Sequence, residues 1–300
     1  MNPKVEVLLS TYNGEKYLND QINSLIAQRD VDIEILVRDD GSSDSTISML
    51  AAWGKKGILS WYSGPNLKPA KSFMDLLKKS PNADYYAFCD QDDYWLPDKL
   101  STAVSMLQDY QLRPALYFCQ TQLADENLNK IDSVIIRPYL TFGEALVYQF
   151  VGGCTMVMNS KLRDILLQYD PTYLPMHDVW VYNIALAIGA KVVFDPVPHI
   201  LYRQHGGNVI GQTAHDSKEW GKRIKGFLNG NRNSRSNFAN ELYRGFKKEM
   251  PIANLKLIEK YLKGKNNILT RCNILFDQHY KCSDKKTYCL FKLAVLLNTY

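Results

Sequence analysis

The chain has 300 residues, 46% of them hydrophobic and 22% charged, a composition that fits a globular protein and excludes a disordered or fibrous one. Its formal charge of +5 is unevenly placed: residues 1–215 hold 18 Lys and Arg against 24 Asp and Glu, net −6, and residues 216–300 hold 18 against 7, net +11. The split supports an acidic front that uses a cation and a basic rear that meets something anionic; no motif accompanies the charge to indicate nucleic acid.

Short apolar or β-branched runs at Val5–Leu9, Ile33–Val37, Ile58–Tyr62, Tyr85–Cys89 and Leu116–Leu123 alternate with helix-like segments at Glu15–Gln28, Asp44–Trp53, Ala70–Lys79 and Asp98–Tyr110. Such alternation predicts an α/β fold, a mainly parallel sheet flanked by helices. Asp44 stands where an N-cap would, and Pro97-Asp98 where a first turn tolerates proline. A helix at Thr141–Tyr148, a strand at Cys154–Met158, helices at Ser160–Gln168 and Asp178–Ile188 and a strand at Lys191–Phe194 continue one domain, residues 1–215. Beyond Gly206 the pattern turns helical and basic, so residues 216–300 are expected to form a helical appendage. The six cysteines include no C-x-x-C pair, which argues against a zinc site or disulfide frame and for a reducing cytoplasm. The first residues lack the apolar core of an export signal, and no run of about 18 apolar residues predicts a membrane span.

An open α/β sheet binds ligands beyond the carboxyl ends of its strands. The segments at those ends are polar: Ser10–Gly14, Asp39–Asp44, Pro65–Lys68 and Asp90–Asp93. Asp90, Asp92 and Asp93 cannot all be ionised within a few ångströms without a cation or a raised pKa. The alternating pair Asp90 and Asp92 suits a hard divalent ion that keeps positions open for diphosphate oxygens, whereas a solvated turn capping the next helix is the plainer alternative. In Asp39-Asp40-Gly41, a carboxylate can accept a pyrimidine ring N–H while the glycine lets the backbone come close; an Asx-type turn is the alternative there.

Three ordered stretches, Leu8–Leu18 (LLSTYNGEKYL), Arg38–Thr46 (RDDGSSDST) and Asp90–Trp95 (DQDDYW), together resemble the family-2 inverting glycosyltransferases of GT-A fold. Within that family the chain looks most like bacterial rhamnosyltransferases of cell-wall and O-antigen polysaccharide, over about residues 3–210. The resemblance implies a nucleotide-sugar donor, dTDP- or UDP-linked, with Mn²⁺ or Mg²⁺ as cofactor. It places Thr11, Tyr12, Asn13 and Glu15 in the nucleotide pocket and has Asp39 or Asp40 read the base. Asp90 and Asp92 then serve ribose, diphosphate and metal, and Asn66, Lys68 and Gln91 on the same rim face the nucleotide.

An inverting transfer is a single displacement at the anomeric carbon, so a carboxylate must take the proton of the attacking hydroxyl. The family keeps this acid in a Glu-Asp or His-Asp pair at a helix start, and Met176-His177-Asp178-Val179-Trp180 fits. Asp178 is thus the implied base, with N-capping as its other role. His177 is expected to orient it or tune its pKa, and Trp180 to give the acceptor a platform, a place in the core being its alternative. The resemblance also makes His205 a further metal ligand and Arg203 or Asn208 a leaving-group contact; oxygen ligands plus one imidazole suit Mn²⁺. Gly152-Gly153 implies close backbone approach to sugar or acceptor, a plain turn being the alternative. Gly206–Thr213 spaces its glycines like a phosphate loop but has Gln212 where the lysine must be.

L-rhamnose from dTDP-L-rhamnose is the implied sugar, with a UDP-hexose as the alternative, and the acceptor is a glycan carried on a polyprenyl lipid. A sugar-1-phosphate nucleotidyltransferase would need a Gly- and Arg-rich loop after the first strand, which Ser10–Glu15 lacks. A non-catalytic binding module would have broken carboxylate motifs, and these are intact. The basic stretch Lys218, Lys222, Arg223, Lys225, Arg232, Arg235, Lys247 and Lys248, interleaved with Trp220, Phe227, Phe238 and Phe246, reads either as a solvated helix face or as a contact with an anionic membrane surface. Leu290–Leu297 is a second anchor, a helix packed on the tail, or a homo-oligomer contact. The expected location is cytoplasmic, peripheral on the inner face of the plasma membrane.

Overall fold

A computed structural model of the chain describes residues 2–133, 135, 137–148, 151–206 and 233–300. Its strands and helices are, in chain order, β1 (Lys4–Thr11), α1 (Leu18–Ile26), β2 (Asp32–Asp39), α2 (Thr46–Lys55), β3 (Ser60–Ser63), α3 (Lys68–Lys79), β4 (Tyr85–Cys89), β5 (Tyr94–Trp95), α4 (Lys99–Leu107) and β6 (Ala115–Ala124). There follow α5 (Phe142–Ala145), β7 (Val157–Asn159), α6 (Ser160–Leu166), α7 (His177–Ala187), β8 (Lys191–Arg203), α8 (Ser234–Phe246), α9 (Ile252–Lys263), α10 (Ile268–Phe276) and α11 (Lys285–Leu296). The eight strands form one sheet in the order β3-β2-β1-β4-β7-β6-β8-β5.

Residues Val5 to Leu9 of β1 are all buried, as a central strand covered on both faces requires. Successive side chains enter different layers: Leu8 packs with Phe73, Phe88 and Trp180, while Val7 and Leu9 pack with Leu18, Ile22 and Leu50. Helices α3, α5, α6 and α7 therefore cover one face and α1, α2 and α4 the other. The helices α8 to α11 extend the first layer, since Phe238 and Phe246 of α8 meet the Trp180 ring at 5.8 Å each. Each fully buried Leu or Phe in these layers stabilises the fold by about 1.5–3 kcal/mol.

The sheet is mixed. The pairs β1–β2, β1–β4, β2–β3 and β6–β8 are parallel, and β4–β7, β6–β7 and β5–β8 are antiparallel. The expected strand at Cys154–Met158 is a 3₁₀ turn, Gly153–Thr155, followed by the short β7. The strand expected to stop at Phe194 runs on to Arg203; register shifts opposite Cys119–Gln122 absorb Pro196 and Pro198, whose missing N–H groups an unbroken ladder would not tolerate. These directions place the site. Because β7 runs against β4, its leading turn lies on the rim where β1, β2, β3, β4, β6 and β8 end, and β5 starts from that rim as well. The segments before α7 and after β8 reach the same edge. Among the described residues no helix is long and apolar enough to cross a membrane.

Candidate functional site

Four loops on this rim are stitched together by their own polar groups. The Asn13 amide donates to Ser42 Oγ (2.8 Å) and its side-chain oxygen accepts from the Ser43 amide (2.9 Å). Glu15 accepts from the Ser45 amide (2.9 Å) and donates its own amide to Asp44 (3.1 Å), which also accepts from Thr46 at the start of α2 (3.0 Å). Gln91 clasps the backbone of Tyr12 from both sides, accepting from its N–H (2.9 Å) and donating to its carbonyl (3.0 Å). Gly14 makes room for that clasp, because a Cβ there would lie 2.2 Å from Gln91 Oε1. The Tyr12 ring stays about half exposed over the rim.

The paired acids after β2 have separate tasks. Asp39 is fully buried and spends its carboxylate on the loop, accepting from Thr11 Oγ1 (3.0 Å) and from the amides of Gly41 (3.0 Å) and Ser42 (2.9 Å). Gly41 takes φ +83°, a conformation the tight turn around Asp39 needs and a larger residue resists. Asp40 pairs with the buried Arg38 and accepts from the Leu67 amide (3.1 Å). Arg38 also reaches Asp75 of α3 (3.0 Å) and the Pro65 carbonyl (2.9 Å), tying β2 to the loop that carries Asn66 and Lys68. Both of those residues are exposed, and Asn66 accepts from the Lys68 amide (3.1 Å).

The acidic loop after β4 is short of positive charge. Burial, with the charges of Asp92 and Asp178 added, pushes Asp90 up to about 7. Asp93, which is fully buried, is raised by that burial and by the charges of Asp92 and Asp90. Asp92 meets His205 beyond β8, Oδ2 to Nε2 at 2.9 Å, so the two residues expected to share a metal do converge. Among the described residues, Asp90, Asp93 and Cys154 bring ligand atoms within 4.8 Å of one another. Carboxylate oxygens with one imidazole are the ligand types that a hard or borderline divalent ion takes.

Arg203 corrects the expectation of a leaving-group contact. It is buried behind the loop, where its Nε donates to the Asp92 carbonyl (2.9 Å), its guanidinium to the Glu126 carbonyl and to Asp20 (3.0 Å), and its backbone N–H to Asp93 (3.2 Å). It holds the acidic loop in place from below. Asn208, the glycine-rich decoy and the basic stretch 218–232 lie outside the described residues.

Asp178 opens α7 and is 7% exposed. Its Oδ1 accepts from the Val179 amide (2.6 Å), and the Gly153 amide also donates to its carboxyl group. Burial nevertheless raises it to about 6. Asp178 stands beside Gly153, the chain neighbour of Cys154, whose Sγ lies within 4.8 Å of carboxylate oxygens of Asp90 and Asp93. His177 does not orient Asp178. The ring stacks on Phe73 (4.0 Å) and meets the edge of Phe88 (4.9 Å), neither nitrogen has a hydrogen-bond partner among the described residues, and burial lowers its pKa to about 3. It is a neutral spacer beside Asp178. Trp180 is no acceptor platform either: it is fully buried among Tyr169, Phe238 and Phe246, because nearly every side of α7 is covered.

Gly153 is where the backbone must come close. A Cβ there would sit 2.4 Å from His177 Nε2 and 3.4 Å from Asp178 Cβ. Gly153→Ala is expected to push back the first turn of α7 and lower turnover by about 10²-fold with a small change in melting temperature, since misplacement of a reacting group by about 1 Å costs that much. A variant with unchanged kcat would show that the turn yields without moving Asp178.

Sequence reasoning missed Cys154 and Lys99. Lys99 is fully buried with its ammonium 3.3 Å from the Trp95 ring centroid, one layer beneath the acids, and a Pro-Asp-Lys helix start gives no sign of this.

Residues 6–166 match the sequence profile of glycosyl transferase family 2. The chain belongs to that family. This glycosyltransferase is 28% identical over 235 residues to the dTDP-rhamnosyl transferase RfbG of Shigella flexneri, a match covering 68% of this chain and 73% of that protein. It is also 28% identical over 162 residues to the putative teichuronic acid biosynthesis glycosyltransferase TuaG of Bacillus subtilis, covering 53% and 63% of the two chains. Among solved structures it is similar to S. aureus TarS 1-349 in complex with UDP-GlcNAc, with a TM-score of 0.58 and 15% identity over 99% of this chain and 93% of that one. The mannosyltransferase PcManGT from Pyrobaculum calidifontis, in complex with GDP-Man and Mn²⁺, aligns with a TM-score of 0.52 and 16% identity over 100% and 87%. At such identities these likenesses establish the GT-A fold alone.

Proposed function

We propose that this glycosyltransferase is metal-dependent and inverting, and that it moves L-rhamnose from dTDP-L-rhamnose onto a growing, polyprenyl-linked bacterial surface polysaccharide at the inner face of the plasma membrane. The single observation that carries the reading is the position of Asp178. It is held by the amides of Val179 and Gly153, one residue from the Cys154 whose Sγ lies within 4.8 Å of Asp90 and Asp93 oxygens, and burial raises it to about 6, where a carboxylate is mostly ionised at neutral pH yet still basic. The donor rests on the relative named dTDP-rhamnosyl transferase, and the metal on the donor set together with the Mn²⁺ of the mannosyltransferase complex.

In this reading the nucleotide lies over the stitched loops, against the exposed Tyr12 ring. Thr11, Asn13, Glu15 and Gln91 act through the loop shape they fix. Asp39 is committed to its turn and Asp40 to Arg38 and the Leu67 amide, so the two acids shape the loop on which the base rests. Asp90, Asp92 and His205 would hold Mn²⁺ or Mg²⁺, which would offset the negative charge of the departing diphosphate. Asp178 takes the proton of the acceptor hydroxyl as its oxygen bonds to the anomeric carbon and the bond from that carbon to the dTDP oxygen breaks; the product is the inverted glycoside plus dTDP. Asp93 and Arg203 keep the loop in register from beneath.

The test is donor turnover across dTDP-rhamnose, UDP-glucose, UDP-galactose and UDP-N-acetylglucosamine, with Mn²⁺, Mg²⁺ or chelator. Turnover of dTDP-rhamnose alone, lost with chelator, is the expected pattern. Preference for a UDP-hexose would keep the chemistry and replace the donor, and full activity in chelator would remove the metal.

A further inference from the structure

Fifteen large apolar side chains are exposed among the described residues, and six of them cluster on α10, α11 and the residue that ends it: Ile268, Leu269, Phe276, Leu293, Leu296 and Leu297. In α10 only Ile274 is buried, and Phe276 is 80% exposed. At helical spacing Ile268, Leu269, Cys272 and Phe276 fall within an arc of ~100°, an apolar stripe left exposed among the described residues. Cys289, Leu293, Leu296 and Leu297 make a similar stripe on α11, which packs beside α10. A helix face turned only to water would be polar at these positions.

The charge around the stripes is mostly positive. Residues 252–300 carry 9 Lys and Arg against 3 acids. Of the three, Asp277 is taken by Lys260 (2.6 Å), and Asp284 caps α11 by accepting from the Lys286 and Thr287 amides. Lys263, Lys281 and Lys285 are exposed at the ends of the helices. A second copy of this chain meeting the same face in a two-fold pair would set lysines against lysines. A bilayer carrying anionic headgroups supplies both an apolar layer for the stripes and negative charge for the rim.

We propose that the α10–α11 face docks on an anionic lipid surface, with Ile268, Phe276 and Leu296 entering the interface and the lysines contacting headgroups. This goes beyond the catalytic reading and does not depend on it, because binding to vesicles needs neither donor nor metal. It also shifts the contact from the 218–248 stretch emphasised by the sequence to the last helices.

The experiment is sedimentation of the full chain with vesicles of phosphatidylcholine, alone or mixed with phosphatidylglycerol, at low and high salt. Binding to the mixed vesicles that weakens with salt is expected. The double variant Ile268→Ser/Phe276→Ser should bind about tenfold or more weaker, since burying one such side chain is worth at least about 1.4 kcal/mol. The charge variant Lys281→Glu/Lys285→Glu should lose binding to the anionic vesicles with an unchanged melting temperature. Equal binding to neutral and anionic vesicles, absence of binding, or wild-type binding by both variants would overturn the proposal. So would a solution dimer dispersed by the serine variant, which would assign the face to a second copy.

Discussion

Asp178→Asn is expected to lower transfer by about 10²–10⁴-fold, the usual contribution of a positioned general base, while nucleotide binding persists. The amide keeps the shape of the carboxylate, and its oxygen can still accept from the Val179 and Gly153 amides, so the start of α7 stays in place. What it cannot do is take a proton. The wild-type acid limb of kcat/KM should rise with pH through about 6, because burial raises Asp178 to that value and only its ionised form is the base. Single-turnover rates with dTDP-rhamnose and calorimetric dTDP binding, made on both proteins, check this. Unaltered turnover would take Asp178 out of the mechanism, and loss of nucleotide binding along with turnover would make it a structural cap.

Much of the site was legible because it obeys strand direction. Tyr85–Cys89 is apolar end to end and forms the fully buried β4, so the acids that follow had to emerge on the rim. The same logic brought Asp39, Asp40 and Thr11 there. Asp178 was legible as an acid ahead of an apolar helix. Its neighbours were not: ten of the eleven residues of α7 are buried, so no hydrophobic stripe tells which side faces a ligand. The sequence therefore left Trp180 between an acceptor platform and the core, which is where it lies, and assigned His177 to Asp178 when its ring packs on Phe73 and Phe88. Arg203 was misread for a related reason. A charged residue next to a polar loop is ordinarily solvent-facing, and its role as a buried brace depends on Asp20, Asp92 and Glu126, which only the folded chain brings to it. The close approach of Gly153 was anticipated, but its partner was taken for a ligand when it is the His177 ring.

Asp90→Asn is expected to abolish metal-supported transfer and yet to raise the melting temperature of the metal-free protein. Burial and the charges of Asp92 and Asp178 lift Asp90 to about 7, whereas an unfolded aspartate titrates near about 3.9. The native state therefore binds the proton more tightly than the unfolded chain, and between about pH 4 and pH 7 stability falls as pH rises. Above that window wild type carries the whole penalty of an ionised, crowded carboxylate, and asparagine carries none. The gain in melting temperature should thus be largest near pH 8 and vanish toward pH 4. Other carboxylates bias the slope of each curve, but the difference between the two proteins isolates Asp90. Mn²⁺ should act on wild type in the same direction, raising its melting temperature at pH 8 and hardly at pH 5, because the ion supplies the charge that the proton otherwise brings. The variant should respond weakly at both. A variant less stable than wild type at pH 8, or an equal Mn²⁺ shift in both proteins, would mean that Asp90 is neither strained by its neighbours nor part of the cation site.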